Sequence, residues 1–154
     1  MSRKPPPTRA DYGALYPITT RWEDNDIYGH VNNVVYYSYF DTAANQYLID
    51  EGGLDPQDGR IVGYVVNSGC EYHAPIAHPE NIEAGVRVDR LGNSSVQYGI
   101  GIFKEGREEA CAHGHFVHVF VERATDSSVP IPENLRAALE KILLNTGEIG
   151  RAHV

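Results

Sequence analysis

Val31-Asn32-Asn33-Val34-Val35-Tyr36-Tyr37-Ser38-Tyr39-Phe40-Asp41-Thr42-Ala43-Ala44-Asn45-Gln46-Tyr47-Leu48-Ile49-Asp50 contains neither proline nor glycine and is followed closely by Gly52-Gly53. A run of this length that stops at glycine predicts an α-helix from Val31 to about Asp50, because glycine readily adopts the left-handed turn that closes a helix. Apolar and aromatic side chains (Val34, Val35, Tyr36, Tyr37, Tyr39, Phe40, Ala43, Ala44, Tyr47, Leu48, Ile49) occupy nearly every side of that helix. A helix apolar all round belongs inside something. The β-propensity of Val and Tyr also allows a strand, but the length and the Phe40–Ile49 stretch favour the helix.

Outward from this helix the pattern changes. Before it, Tyr16–Trp22 reads as a short strand, and residues 1 to about 10, basic and proline-rich, read as a flexible arm. After it, Ile61–Val66 and its continuation through Cys70, Tyr72 and His73 stop at Pro75. Ile82, Ala84, Val86 and Val88 then alternate with polar or small neighbours, as do Val96, Tyr98, Ile100 and Ile102. This is the period-two pattern of half-buried strands. Residues 108–123 read as the longest strand, and Pro130-Ile131-Pro132 leads into a terminal helix with Leu135, Leu139, Ile142 and Leu143 on one stripe. Four successive strands joined by short turns imply an antiparallel meander. The expected class is α+β: five strands, or six, wrapped around one long helix, with residues 11–154 forming a single domain.

Composition narrows the function. With 13 Lys+Arg against 21 Asp+Glu, the 154-residue chain carries a formal charge of −8, which argues against a nucleic-acid partner. No apolar run is long enough for a bilayer, and the basic start lacks an apolar stretch behind it, so no membrane role and a cytoplasmic location are expected. Cys70 and Cys111 have neither disulfide-framework nor metal-ligand spacing.

The chemistry-bearing stretch is Arg21-Trp22-Glu23-Asp24-Asn25-Asp26-Ile27-Tyr28-Gly29-His30-Val31-Asn32-Asn33, which sets carboxylates immediately before a helix N-terminus. Free N–H groups there polarise a carbonyl and stabilise an oxyanion. With a carboxylate alongside as base or nucleophile, the arrangement suits acyl transfer from an electrophilic ester, such as a thioester.

Asp26-x-x-Gly29-His30-Val31-Asn32-Asn33, with Tyr36-Tyr37-x-Tyr39-Phe40-Asp41-x-Ala43 behind it, resembles the hot-dog-fold acyl-CoA thioesterases, the group that includes 4-hydroxybenzoyl-CoA thioesterase. Similarity continues through Gly114–Val121 and Val129–Pro132 and spans about Tyr16 to Leu139. The resemblance implies a sheet wrapped around the helix, a homodimer or homotetramer with sites at the subunit interface, and an acyl-CoA substrate, with no cofactor beyond the coenzyme A of that substrate. Carried onto this chain, the family's carboxylate falls on Asp26 and its oxyanion donor on the backbone N–H near Asn33. His30 is raised as a third catalytic participant, and Asn32, Tyr28 and Tyr37 as substrate-binding residues. Gly-His-Val-Asn-Asn departs from the benzoyl-CoA enzymes and is closer to long- and medium-chain acyl thioesterases.

Each residue has a plainer reading. Asp26 could cap the helix; Asp24 could face solvent or order the loop; Asp41, an acid in an apolar helix, calls for a partner such as a neighbouring loop. His30 could bond the loop backbone, and Asn32 and Asn33 could buttress it. His113 and His115 share one strand face while His118 points to the other, so no metal site is expected. Arg87, Arg90, Lys104, Arg107 and Arg123 are candidates for the coenzyme A phosphates. Two other readings remain: a hot-dog hydratase or dehydratase acting on acyl thioesters, and a non-catalytic acyl-CoA-binding protein.

Overall fold

The computed structural model describes residues 5–57 and 59–144. Five strands, β1 (Ala14–Ile18), β2 (Ile61–Tyr72), β3 (Ile82–Leu91), β4 (Ser95–Lys104) and β5 (Ala112–Glu122), form one antiparallel sheet in the order β1-β3-β4-β5-β2. A long helix α1 (Val35–Gly52) packs on one face, and α2 (Glu133–Glu140) packs against α1. This is the expected hot-dog arrangement with five strands.

Only β3, β4 and β5 form a meander, which corrects the expected run of four. The link from Tyr72 to Ile82 carries Pro75 and Pro79 and is too long for a tight hairpin. It instead carries the chain from the far edge of the sheet, where β2 lies beside β5, across to β3, which pairs with β1. β2, not β5, is the longest strand. The first strand ends at Ile18 rather than Trp22, because Trp22–Asp24 winds into a 3-10 turn closed by the Asp24 carboxylate on the Arg21 N–H. The second half of the expected arm is docked. Thr8 bridges Glu109, the Ala110 N–H donates to the Pro7 carbonyl, and the Arg9 guanidinium pairs with Glu83.

Along the strands the alternation resolves as expected: Ala84, Val86, Val88, Tyr98, Ile100, Ile102, Phe116, His118 and Phe120 are buried. Gly114 leaves room for both β2 and α1, since a Cβ there would run into the Gly69 carbonyl and sit 2.9 Å from Phe40 Cε2. The helix itself is less enclosed than its composition implies. Tyr36, Tyr39, Phe40, Ala43, Ala44, Tyr47 and Leu48 are buried, while Ser38, Asp41, Thr42 and Asp50 line an open side. The terminal helix also stops sooner. Ile142 is buried beyond its end, and Leu143 and Leu144 turn onto β3, where the Leu144 N–H donates to the Val88 carbonyl.

Candidate active site

Residues 25–34 form a loop clasped by hydrogen bonds between the 3-10 turn and α1. The Asp26 N–H donates to the His30 carbonyl and the Gly29 N–H to the Asp26 carbonyl, with Gly29 at φ +82°, a conformation that glycine adopts without strain. Asp26 Oδ1 accepts the Tyr28 N–H at 2.9 Å, an Asx turn. Asp26 is therefore a loop-closing residue, not a helix cap, and only one of its carboxylate oxygens is committed to that role. The Val31 N–H is taken by the Ile76 carbonyl at 2.7 Å and the Asn32 N–H by the Asp24 carbonyl at 2.9 Å.

Here the helix departs from expectation: it begins at Val35, four residues later than the pattern predicts. Asn32 explains the delay. Its Oδ1 accepts the Val34 N–H and its carbonyl the Val35 N–H, so the chain makes a side-chain-closed turn before regular helix starts. The Tyr36 and Tyr37 N–H groups go to the carbonyls of Asn33 and Val34. Of the N–H groups from Val31 to Tyr37, that of Asn33 alone has no acceptor among the described residues. Its carbonyl accepts the Tyr72 hydroxyl at 3.1 Å.

Asp24 is the anchor beneath the loop. It is 1% exposed, so the solvent-facing alternative is wrong and the loop-ordering one holds. Burial by itself would raise its carboxyl, but the Arg21 N–H, the Tyr39 hydroxyl at 2.8 Å and the Arg21 guanidinium together hold it below the usual carboxylate range.

An open cleft of about 440 Å³ lies against this loop, lined by Asp26, Tyr28, His30, Val31, Asn33, Tyr36, Tyr72, His73, Ala74 and Pro75. Four of the singled-out residues thus meet in one place: Asp26, His30, Asn33 and Tyr28. Two do not line it: Asn32, whose side chain is spent on the Val34 N–H, and Tyr37, whose ring packs edge-on to Phe40. Asp41 lies on the open side of α1 and takes its bond from Asn45, one turn along, rather than from a loop. None of Arg87, Arg90, Lys104, Arg107 and Arg123 lines the cleft.

Tyr36, Tyr72 and His73 were not singled out. Tyr72 and His73 come from the end of β2, far from Asp26 in sequence. Only the crossing link, clamped by the Val31–Ile76 bond, brings them alongside. Cys70, nearby on β2, has its thiol pushed up to about 11 by burial, which leaves little thiolate for nucleophilic work at neutral pH. Among the described residues no cluster of three or more His, Cys, Asp or Glu could hold a metal ion. None of the described helices is long and apolar enough to cross a membrane.

The family model described as the thioesterase-like superfamily matches residues 20–139, from just after β1 into α2. The chain belongs to that superfamily. It is 59% identical to the PA5185 protein from Pseudomonas aeruginosa strain PAO1, whose crystal structure superposes with a TM-score of 0.90 over 92% of this chain and 99% of that one. It is 25% identical to BH1999 gentisyl-coenzyme A thioesterase, with a TM-score of 0.73, covering 82% of this chain and 99% of the other. YsmA of Bacillus subtilis is likewise 25% identical over 122 residues, 79% of this chain and 81% of YsmA. Membership of that superfamily, with relatives named as thioesterases, supports thioester hydrolysis as the general chemistry of this fold.

Proposed function

We propose that this chain hydrolyses acyl-CoA thioesters to a free carboxylic acid and coenzyme A. The observation that carries the reading is that Asp26, with one carboxylate oxygen uncommitted among the described residues, lines the same cleft as Asn33, whose N–H has no acceptor among them. The thioester oxygen accepts from the Asn33 N–H, which stabilises the charge that develops as the carbonyl carbon becomes tetrahedral. Asp26 either attacks that carbon or takes a proton from the water that does. Tyr28 and His30 wall the acyl end beside it. The chemistry needs no redox group or metal, and coenzyme A enters only as part of the substrate.

Tyr28, Tyr36 and Tyr72 give the cleft an aromatic wall, and the gentisyl-CoA enzyme among the relatives acts on an aromatic thioester, whereas the Gly-His-Val-Asn-Asn loop leans towards aliphatic chains. A panel of aromatic and short-, medium- and long-chain acyl-CoAs, read by release of free thiol, tests the activity. Enoyl-CoA hydration in the same panel tests the hydratase alternative, and tight binding without thiol release would favour a non-catalytic binder.

A second copy completes the site in this reading. β2 is an edge strand whose central residues Tyr64–Ser68 are all exposed, including Val65 and Val66 at 46% and 59%. Ile27 and Tyr28, beside the cleft, are 91% and 79% exposed. An unprotected apolar edge of this length is a template for pairing. Antiparallel pairing of two β2 strands about Val66 would cover it and bring partner residues towards each cleft. Val66→Asp places two carboxylates together at that axis. It is expected to give a monomer by sedimentation and a fall in turnover of at least about tenfold, since like charges directly opposite oppose pairing. A Val66→Asp protein that remains dimeric would place the interface elsewhere.

A further inference from the structure

We propose that the Tyr36 hydroxyl hydrogen-bonds an oxygen on the buried end of the acyl group. The cleft is thereby selective for acyl groups that carry a neutral hydroxyl or keto oxygen over the plain hydrocarbon. The proposal rests on the hydrolase reading above and names the class of acyl group for it. Tyr36 lines the Asp26 cleft and is 3% exposed. Its ring is held edge-on by Tyr39 and Tyr72, with centroids 6.0 and 5.1 Å away. Its hydroxyl makes no hydrogen bond to any of the described residues.

That sets it apart from its neighbours in the cleft. The Tyr72 hydroxyl donates to the Asn33 carbonyl at 3.1 Å, and His73 Nε2 lies 2.7 Å from Nδ1 of His113. Tyr28 and His30 are exposed, so bulk water serves their polar atoms. Among the described residues, the one sealed side-chain nitrogen or oxygen without a partner is His118 Nε2. The Tyr36 oxygen is unpaired but not sealed, and the space that Tyr36 borders is the cleft.

The hydroxyl sits at the deep end. The titratable groups that act on it are Cys111, Cys70 and Glu80, not Asp26 or His30. Cys111 is fully buried, and Cys70 lies opposite Gly114 in the β2–β5 register. Glu80 belongs to the link between β2 and β3, where its carboxylate accepts the Ala77 N–H and pairs with Lys104. With the thioester carbonyl held between the Asn33 N–H and Asp26, the part of the substrate that reaches this end is the acyl group.

Burial pushes the Tyr36 phenol above its ordinary value, so it is a neutral O–H at the working pH, able to donate one bond and accept another. Water meets that hydroxyl before substrate enters. A hydrocarbon tail displaces the water and leaves the donor dry, whereas a hydroxyl or keto oxygen replaces the lost bond. This asymmetry is how a polar pocket rejects an analogue that lacks one oxygen. An ionised carboxylate tail fits less well. None of the groups acting on the hydroxyl is a cation, and Glu80 is itself an acid, so a buried carboxylate would lack a counter-charge.

The test measures kcat/KM for the wild type and Tyr36→Phe on acyl-CoA pairs that differ by one oxygen. An aromatic arm sets benzoyl-CoA against its 3- and 4-hydroxy forms. An aliphatic arm sets pentanoyl-CoA against 3-hydroxypentanoyl- and 4-oxopentanoyl-CoA. The wild type should favour the oxygenated member in at least one arm by about tenfold or more, the scale of one bond made against a donor left dry. The arm that shows the preference tells which skeleton carries the oxygen. Tyr36→Phe should cut that ratio by about tenfold. Its melting temperature should not fall, because phenylalanine keeps both edge contacts and no internal hydrogen bond is removed. A wild type with no oxygen preference in either arm, or a preference that survives Tyr36→Phe, overturns the proposal. An equal loss on every substrate also overturns it, by placing the hydroxyl on the thioester carbonyl, and a lowered melting temperature does so by revealing an internal partner. Each of these results leaves the hydrolase reading intact. No thiol release by the wild type from any thioester overturns both.

Discussion

Asp26→Asn is expected to lower kcat/KM on the preferred acyl-CoA by roughly 10³-fold while leaving the melting temperature unchanged, a loss of about 4 kcal/mol of transition-state stabilisation. The substitution is chosen because the loop uses Asp26 for two separate tasks. Oδ1 holds the Tyr28 N–H, and an amide oxygen at the same place can hold it equally well. The backbone bonds to the His30 carbonyl and from the Gly29 N–H do not involve the side chain at all. What the amide cannot do is attack a carbonyl carbon or take a proton from water. Asp26→Ala, by contrast, also removes the Asx turn and should cost about 1 kcal/mol of stability, so it mixes folding with chemistry. Steady-state thiol release and thermal unfolding on both variants separate the two effects. An Asn variant with full turnover would remove Asp26 from the mechanism. In the wild type, a single turnover in oxygen-18 water that leaves label in the Asp26 side chain identifies direct attack, with water opening the acyl-aspartyl anhydride at the aspartyl carbon; activated water leaves Asp26 unlabelled.

The elements that sequence displayed clearly were those in which one local pattern had one physical cause. Period-two alternation marked Ile82–Val88 and Val96–Ile102 as strands and picked out their core-facing residues, although β4 is buried on both faces from Tyr98 to Phe103, where Gly99 lies under Arg87 and Gly101 under Tyr12. Gly52-Gly53 marked the end of α1 because Gly53 adopts the left-handed conformation at φ +71°. What stayed hidden was set by partners distant in the chain. β2 has the composition of a meander strand, and only the long proline-bearing link to β3 hints that it pairs with β5 instead. The start of α1 was misplaced because an Asn side chain closing a turn and a residue inside a helix look alike in a string of letters.

The site divides along the same line. Asp26, His30 and Asn33 lie within one loop, so adjacency in sequence carried over into space. Tyr72 and His73 reach the cleft by tertiary crossing alone, and the partner of His73 comes from another strand altogether. The alternation rule did separate His113 and His115 from His118, but it could not show which face was dry. The structure puts His118 on the face towards α1, fully buried, and His113 on the other.

That burial gives the second large expectation: stability should fall by about 2 kcal/mol between pH 7 and pH 5, with His118 as the main cause. His118 is packed among Tyr98, Phe116 and Phe120, and Gly63 leaves room for its ring. Nδ1 shares a bond with the Tyr98 hydroxyl at 3.1 Å, and Nε2 has no partner among the described residues. Burial pushes the imidazole from 6.5 down to about 4. The unfolded chain therefore takes up a proton near pH 6.5, whereas the folded chain does so only near pH 4. Stability from this group is complete above pH 6.5, drains away as the pH falls towards 4, and levels off below, with a full span of about 3 kcal/mol. His113, also held low, adds to the same slope, while Asp24, held below its ordinary value, is lost only at more acid pH. Urea titrations at pH 7, 6 and 5 measure the slope. His118→Leu alone would orphan the buried Tyr98 hydroxyl at a cost of about 1–3 kcal/mol, so the informative variant is Tyr98→Phe with His118→Leu, which removes both ends of the bond. The double variant should lose most of the pH dependence above pH 5. If it keeps the wild-type slope, the proton uptake that destabilises the fold occurs elsewhere.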